Sequence, residues 1–228
     1  MVNKVKELHK PIVYLLLGAF LAFQSCASVK KTSTSINVTT DWTLVKKDES
    51  GCKLYSRETS GTDVKEFKVI GMIKSTPENC LYWVKDKIIH NSKYEKGAPA
   101  IEIIENTPTG LLTYSVSKMP WPIKDRAMCE RYEYYQQVDK GIIGMRWNEA
   151  WEECPKPSSK KLVRMPIIRG KWEFISLDNK NTEAIYVAQF DPGKGMPSRM
   201  VNRMAGKFLL EEFNSIKRLS EENKLERL

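Results

Sequence analysis

The sequence predicts an α+β domain in which a largely antiparallel β-sheet is combined with one long C-terminal helix. Between Trp42 and Phe190 most apolar side chains alternate with polar ones, as in strands that bury one face. One helical pattern, near residues 75–90, interrupts these strands. After Phe190 a Pro/Gly cluster leads into an amphipathic stretch that runs to about Glu222. The predicted order is therefore strands, one helix, many strands and a long helix.

The composition is that of an ordinary globular protein. The chain has 228 residues, of which 41% are hydrophobic and 29% charged, and its formal net charge is +9. The positive charges are dispersed and no nucleic-acid-binding motif is present, so we expect a solvated surface and no nucleic-acid partner. The length predicts a single domain of about 180 residues with a sizeable core. We expect this domain to be a monomer.

The N-terminus has the pattern of an export signal. Three lysines lie within the first ten residues, an apolar run extends from Ile12 to Phe23, and Cys26 directly follows Ser25. This arrangement resembles a bacterial lipoprotein signal peptide spanning residues 1–26, although Phe23 and Gln24 depart from the family's preferred residues. The resemblance implies an exported protein that is lipid-anchored through Cys26 to a bacterial membrane, facing the periplasm or the cell surface. The alternatives are an uncleaved anchor or a plain signal peptide.

A polar segment separates this signal from the folded part. Residues 27–40 are rich in Ser and Thr, and no apolar period runs through them. We interpret them as a flexible tether that lets the domain stand clear of the membrane. The domain itself is predicted to span residues 41–222.

The strands of this domain are separated by clear turn signals. The predicted strands are residues 52–57, 65–72, 101–105, 111–118, 126–138, 143–151, 162–177 and 182–190. Asp139-Lys140-Gly141 predicts a hairpin turn, and Pro166 and Gly170 predict that the strand at 162–177 is bulged or broken in two. Ser75 to Glu78 form a capping box, which predicts a helix to about His90.

The C-terminal helix is predicted to begin near Pro197 and to carry one broad apolar face. That face comprises Val201, Met204, Ala205, Phe208, Leu209, Phe213, Ile216 and Leu219. The opposite side carries a basic stripe of Arg199, Arg203 and Lys207, which is usually solvated, although it could contact anionic headgroups. Glu212 projects near the middle of the apolar face, where an unpaired carboxylate is costly.

Four passages occur in an order that is characteristic of one family. They are a proline-flanked loop leading to Arg126, Val163-Arg164, a glycine-to-tryptophan strand from Gly170 to Phe174, and Asp191-Pro192-Gly193 before the last helix. Together they span roughly residues 42–219, and they resemble the START (steroidogenic-acute-regulatory-protein-related lipid-transfer) domain of the Bet v 1-like helix-grip group. The resemblance implies a curved antiparallel sheet wrapped around the C-terminal helix, with a hydrophobic cavity for one lipid or sterol-sized ligand. It implies no catalytic residues.

Apolar and aromatic side chains supply the first group of candidate ligand-binding residues. They are Met145, Trp147, Tyr186, Met204 and Phe208. Methionine adapts to a flexible ligand, but it is equally good filler in a closed core. The residues alone favour core filling, and only the family resemblance favours a cavity.

Charged side chains supply the second group, which consists of Arg126, Glu149, Arg164 and Glu212. If the two arginines point inward, they can neutralise the glutamates and leave polar points for a ligand hydroxyl or headgroup. Alternatively, Glu149 lies on the solvated face, and the last helix ends or bends before Glu212. We favour this alternative for Glu212 and leave both open for the other three. Replacing Arg164 by leucine is expected to impair lipid binding without unfolding the domain.

The sequence gives little support to catalysis or metal binding. His90 is the one histidine outside the signal, and no two cysteines share metal-ligand spacing, so we expect no cofactor and no metal. We expect the cysteines after Cys26 to be small buried hydrophobes, although export permits disulfides. The predicted function is non-enzymatic lipid or sterol binding, with possible transfer between membranes. The alternatives are a cyclase- or hydrolase-like enzyme using Glu149 and Tyr186 as an acid–base pair, and a cavity-less interaction domain.

Overall fold

The structure is a computed structural model that describes residues 41–94, 101–154 and 161–223. The described strands are β1 (Thr43–Lys47), β2 (Lys53–Thr59), β3 (Thr62–Ile73), β4 (Ile101–Thr107), β5 (Gly110–Ser117), β6 (Asp125–Gln137), β7 (Ile142–Glu149), β8 (Leu162–Arg164), β9 (Ile167–Ser176) and β10 (Thr182–Asp191). The described helices are α1 (Pro77–Tyr94) and α2 (Ser198–Glu222). The predicted signal peptide, lipidated Cys26 and tether lie outside the described residues.

The strands form one sheet in the order β1-β2-β3-β10-β9-β7-β6-β5-β4, and β8 pairs beside the start of β6. The β6–β8 pair is parallel, whereas the neighbours along the main path are antiparallel. The sheet is curved and packs against α2, so the predicted α+β class and helix-grip fold are confirmed. No helix of the described ranges is long and apolar enough to cross a membrane.

The predicted break in the strand at 162–177 falls at Met165-Pro166, between β8 and β9. Gly170, in contrast, lies inside β9, where a Cβ atom would approach the Trp147 side chain and the Val187 carbonyl oxygen to 2.4 Å. Glycine at this position therefore lets the Trp147 indole lie close to the backbone of the next strand.

Strand β1 was not predicted from the sequence. All five of its side chains are exposed, so it has no alternation of buried and exposed residues to detect. It joins the sheet by backbone pairing to β2. An edge strand that buries nothing leaves no hydrophobic pattern, which explains why this strand was missed.

The two helices cover different parts of the sheet. Helix α2 packs on β2, β3 and β10, whereas α1 packs on β4, β7 and β9 and also contacts α2. The core beneath them is strongly aromatic, since the Trp172 ring stacks on Tyr186 with their centroids 4.1 Å apart and on Phe213 at 5.6 Å. Gly71 of β3 leaves space for this Phe213 ring, because a Cβ there would lie 2.9 Å from Cε1.

Helix α2 runs unbroken past Glu212 to Glu222, so the favoured alternative that it ends or bends before Glu212 is wrong. The predicted apolar face is also divided. The buried part comprises Val201, Ala205, Leu209, Phe213 and Ile216. An exposed edge, which we call the apolar edge, consists of Met200, Met204 and Phe208. The sheet covers one flank of the helix and leaves this edge of its N-terminal half uncovered.

Candidate functional site

The concave side of β6 and β7 presents a row of polar and aromatic side chains towards the helices. Alternation along a strand directs every second side chain to this side. On β6 these residues are Arg126, Met128, Glu130, Tyr132 and Tyr134, and on β7 they are Met145, Trp147 and Glu149. The candidates Met145 and Trp147 are both buried here. We call this side the concave site.

Two carboxylates face each other in the concave site, because the β6–β7 register places Glu130 opposite Glu149. Like charges in directly opposed positions destabilise a sheet unless one of them is neutral. Burial raises the pKa of the Glu130 carboxyl to about 7 and so favours its neutral form. Glu149 is half-buried, and its Oε2 accepts a hydrogen bond of 3.2 Å from the Ile168 N–H. It therefore does not lie on the solvated face.

The Glu130 side chain lies on the concave side of β6. The Glu130 side chain retains partial solvent-accessible surface, yet burial raises its pKa. A carboxyl that faces bulk water stays hydrated, and its pKa is not raised by burial. Glu130 is therefore screened from bulk water without being fully enclosed by its neighbours. Met128 and Tyr134, on the same side of the same strand, are also only half-buried although the helices lie over this side of the sheet.

Aromatic rings form a wall of the concave site. The Trp147 ring lies 5.8 Å from the Tyr132 ring and 6.1 Å from the Tyr186 ring, measured between centroids. The pKa of the Tyr186 phenol is raised well above its usual value by burial, and additionally by the negative charges of Glu212 and Glu130. Tyr186 therefore stays neutral.

The negative charge of Glu212 on α2 is balanced by a lysine of α1. Its Oε2 lies 2.5 Å from the Nζ of Lys87 on α1, and both side chains are about three-quarters buried. The same Lys87 ammonium donates to the Ser215 hydroxyl at 3.2 Å. The expectation that an arginine neutralises Glu212 is corrected by this contact, since the partner is a lysine of α1.

Arg126 holds the entry to α2. Its Nε donates to the Pro192 carbonyl at 2.7 Å, one terminal nitrogen donates to the Lys194 carbonyl at 3.0 Å, and the other donates to the Lys124 carbonyl. The guanidinium is buried and is engaged with backbone oxygens. Its contacts therefore assign it to the turn before α2, and the expectation that it pairs with an internal glutamate is not met.

Arg164 lies away from the concave site. Its exposed guanidinium is 4.8 Å from the centre of the Trp151 ring. Trp151 packs with a small cluster that includes Leu112 and Cys129, whose side chains point to the convex side of the sheet. The inward orientation considered for Arg164 is therefore wrong, because short β8 adds to the edge of β6 instead of extending β9.

The other candidates lie near the apolar edge of α2. Met204 is exposed, and Phe208 has 45% of its surface accessible although its ring makes an edge contact with Phe190, with 6.2 Å between centroids. Trp121, in the loop between β5 and β6, is 93% exposed. Arg126 ties the backbone after this loop to the turn that leads into α2.

Sequence reasoning missed Glu130 and Lys87. Glu130 had a usable signal, because reflecting Glu149 about the predicted Asp139-Lys140 turn leads to position 130. Lys87 had no such signal, since its role depends on how α1 packs against α2.

The four described cysteines are free thiols, and Cys52, Cys80 and Cys129 are buried. No group of three or more His, Cys, Asp or Glu within the described ranges is placed to hold a metal ion.

Comparisons with known proteins support the architecture. No protein-family model matches the chain. An uncharacterized protein of Pseudomonas aeruginosa is 25% identical over 162 residues, which cover 71% of this chain and 78% of that protein. A crystallised fragment of a STAR-related lipid transfer protein from Xanthomonas axonopodis has a TM-score of 0.65 at 22% identity, covering 78% of this chain and 97% of the fragment.

Human structures are similar at lower identity. Human STARD10 has a TM-score of 0.65 at 18% identity and covers 81% of this chain and 74% of that one. Human StAR-related lipid transfer protein 5 has a TM-score of 0.64 at 14% identity and covers 82% of this chain and 89% of that one. At these identities the similarity is one of fold.

Proposed function

We propose that this chain, which has the fold of a START domain, binds one lipid or sterol-like molecule in its interior and carries it between membranes as a monomer. The observation that carries the proposal is Glu130 on the concave side, whose pKa is raised by burial although its side chain still has accessible surface, and this combination supports an internal space beside it. The name of the Xanthomonas protein, a lipid transfer protein, supports the same function.

Binding in this interior would be non-covalent. Each Å² of apolar ligand surface removed from water contributes about 25 cal/mol, so an acyl chain or ring system supplies most of the affinity. Trp147 and Met128 offer apolar contacts, and the opposed Glu130 and Glu149 offer polar points for a ligand hydroxyl or headgroup.

The ligand is proposed to enter beside the N-terminal half of α2. The C-terminal half is fastened to α1, because Lys87 pairs with Glu212 and the Asn79 side-chain amide donates to the Ser220 carbonyl at 2.9 Å. The N-terminal half instead carries the apolar edge, and Trp121 is exposed in the loop before β6. Exposed apolar side chains of this kind suit contact with a membrane while the ligand passes.

We propose that the domain works at a membrane to which it is itself attached. The support is the sequence pattern of residues 1–26, with Cys26 as the lipidated residue, and the polar tether at 27–40. The domain at residues 41–222 would then face the periplasm or the cell surface. The basic stripe of Arg199, Arg203 and Lys207 is exposed on α2 and would attract anionic headgroups.

We propose a binding role in preference to an enzymatic one. The proposed acid–base pair would require Tyr186 to exchange a proton, but its pKa is raised well above the usual value and it stays protonated. The Glu149 carboxylate already accepts the Ile168 N–H. These contacts favour Glu149 and Tyr186 as polar and aromatic lining.

Native mass spectrometry of the full chain purified from its own host, followed by organic extraction, tests the proposal. We expect one lipid class bound at one molecule per chain. Met128→Trp should fill the internal space and remove the lipid, whereas Met72→Trp, on the exposed convex side, should retain it. A chain that is empty and takes up nothing from host lipids would contradict the proposal and favour the interaction domain.

A further inference from the structure

The convex side of the sheet, which points away from α2, carries a groove of about 550 Å³. Its floor is formed by Ile185 and Val187 of β10, and its walls by side chains from β2, β3, β7 and β9, together with Trp42 before β1. Along β9 the groove residue Lys171 alternates with Trp172, which lies in the core. The groove is therefore separated from the concave site by the sheet itself.

The groove has an excess of positive charge. Five lining side chains are cationic, namely Arg57, Lys68, Arg146, Arg169 and Lys171. Three of these have a carboxylate partner in the described structure, in the pairs Arg57–Glu66, Lys171–Glu173 and Arg146–Glu133. The pairs leave Lys68 and Arg169 without a described carboxylate partner.

The contacts of these two residues hold them at the groove. The Lys68 Nζ lies 4.2 Å from the centre of the Trp42 ring, over which the Arg57 guanidinium also sits at 4.5 Å. Arg169 donates from Nε and from a terminal nitrogen to the side-chain oxygen of Gln189, which is a neutral partner. Burial, and then the positive charges of Arg57 and Lys171, lower the pKa of Lys68, whereas the negative charge of Glu66 raises it. Two further cations therefore lie close to Lys68, with one carboxylate opposing them.

From this geometry we propose that the convex groove binds a phosphomonoester group, with Lys68 and Arg169 as its two principal cationic contacts. A phosphomonoester carries about −1.5 to −2 charge at neutral pH, which matches two unpaired cations better than a single carboxylate does. Guanidinium and ammonium groups together suit several phosphate oxygens at once. The volume is in the range of small-molecule sites, about 300 to 1,000 Å³.

The same phosphate chemistry could come from a soluble molecule or from a lipid headgroup. Calorimetric titration of the full chain in a nonionic detergent distinguishes the two. The soluble probe is glycerol 3-phosphate, and the lipid probe is phosphatidic acid in mixed micelles, with phosphatidylcholine micelles as the reference. Each is titrated into the wild type, into Lys68→Gln/Arg169→Gln, into the two single variants, and into Lys180→Gln, which removes one charge from the exposed turn before β10 and so matches each single variant.

Saturable binding of glycerol 3-phosphate at one per chain, weakened at least about tenfold in the double variant and unchanged in Lys180→Gln, would support the site with a soluble ligand. Binding of phosphatidic acid alone, with the same dependence on the variants, would support it with a lipid headgroup. If neither probe binds in a way that depends on the double variant, the proposal is overturned. Lipid bound in the interior is unaffected by this outcome, so the proposed function is tested separately.

Discussion

Glu130 is the residue whose ionisation the fold controls most clearly. Its pKa is about 7 in the folded chain, against an ordinary value of 4.5. The folded state therefore holds a proton that the unfolded state has released between these two values. The stability that this carboxyl contributes is fully present below pH 4.5 and is lost as the pH rises through 7. The loss corresponds to about 3 kcal/mol of unfolding free energy.

Replacing Glu130 by glutamine should remove this pH dependence, because glutamine cannot ionise. Urea unfolding at about pH 5 and about pH 8 measures it, as the difference between the two unfolding free energies. Glu133→Gln is the matched control, since Glu133 lies on the same strand, faces the convex side and pairs at the surface with Arg146. A wild type and a Glu130→Gln variant with the same pH dependence would contradict the assignment.

Arg126 is expected to be a structural residue of the α2 entry. Replacing it by methionine would leave the carbonyls of Pro192, Lys194 and Lys124 without their donor, at a cost of about 3 kcal/mol in unfolding free energy. Arg164→Met, which removes an exposed guanidinium, should cost less than about 1 kcal/mol. Thermal and urea unfolding of both variants would measure the difference. Equal stability of the two variants would argue against this role for Arg126.

At the scale of elements, the decisive arrangement is the fastening of α2 to α1. The Lys87–Glu212 ion pair lies between the helices and is mostly buried, and Trp83 of α1 donates to the Asn223 carbonyl at 3.0 Å. These contacts all involve the C-terminal half of α2. The N-terminal half is bonded to β3 instead, because the Asn202 side-chain oxygen accepts from the Lys65 N–H at 2.8 Å and its amide donates to the Asp63 carbonyl at 3.0 Å. This half also exposes the apolar edge. The two halves of α2 are therefore held by different partners, the C-terminal half by α1 and the N-terminal half by β3.

A double-mutant cycle on Lys87→Met and Glu212→Gln should give a coupling energy of about 1 kcal/mol, because the pair is partly shielded from water. The matched pair is Lys207–Glu211 within α2, which is exposed and has 3.6 Å between its charged atoms. We expect about 0.3 kcal/mol for that pair. The measurement is urea unfolding of the four variants in each cycle. Similar couplings in the two cycles would mean that the interhelical pair does not fasten α2.

For the whole molecule, the lipid entry is proposed to lie beside the N-terminal half of α2, where Met200, Met204 and Phe208 are exposed, and the loop before β6 exposes Trp121. Trp121→Ser and Phe208→Ser should each slow the uptake of lipid from vesicles by about tenfold, since each removes apolar surface that would enter the membrane. Their stability should change little, because both side chains are exposed in the folded protein. Uptake is measured with a fluorescent lipid in donor vesicles.

Leu177→Ser provides the control for this experiment. Leu177 is also an exposed large hydrophobic residue, but it lies in the turn between β9 and β10. If all three variants transfer lipid at the wild-type rate, the entry is not at the N-terminal half of α2. If all three are equally slow, the effect is one of general surface hydrophobicity.

The sequence by itself determined the local features of this protein. Alternation and turn residues predicted eight strand segments, the hairpin at Asp139-Lys140 and the long helix after Pro197, and the order of the four family-like passages predicted the START fold. The strand, turn and helix signals depend on residues that are close together in the sequence, so they can be recognised in one sequence without the structure. Strand β1 was missed because its five side chains are all exposed.

The tertiary structure alone decided which side chains meet. The helical periodicity predicted that Glu212 lies on an apolar face, but it could not predict that Lys87 is its ion-pair partner. Lys87 belongs to a helix more than a hundred residues earlier in the chain. It also could not tell that Arg126 bonds the turn before α2, or that Arg164 lies on the convex side. Charge compensation depends on distance and burial in space, and those are set by the curvature of the sheet and the packing of both helices.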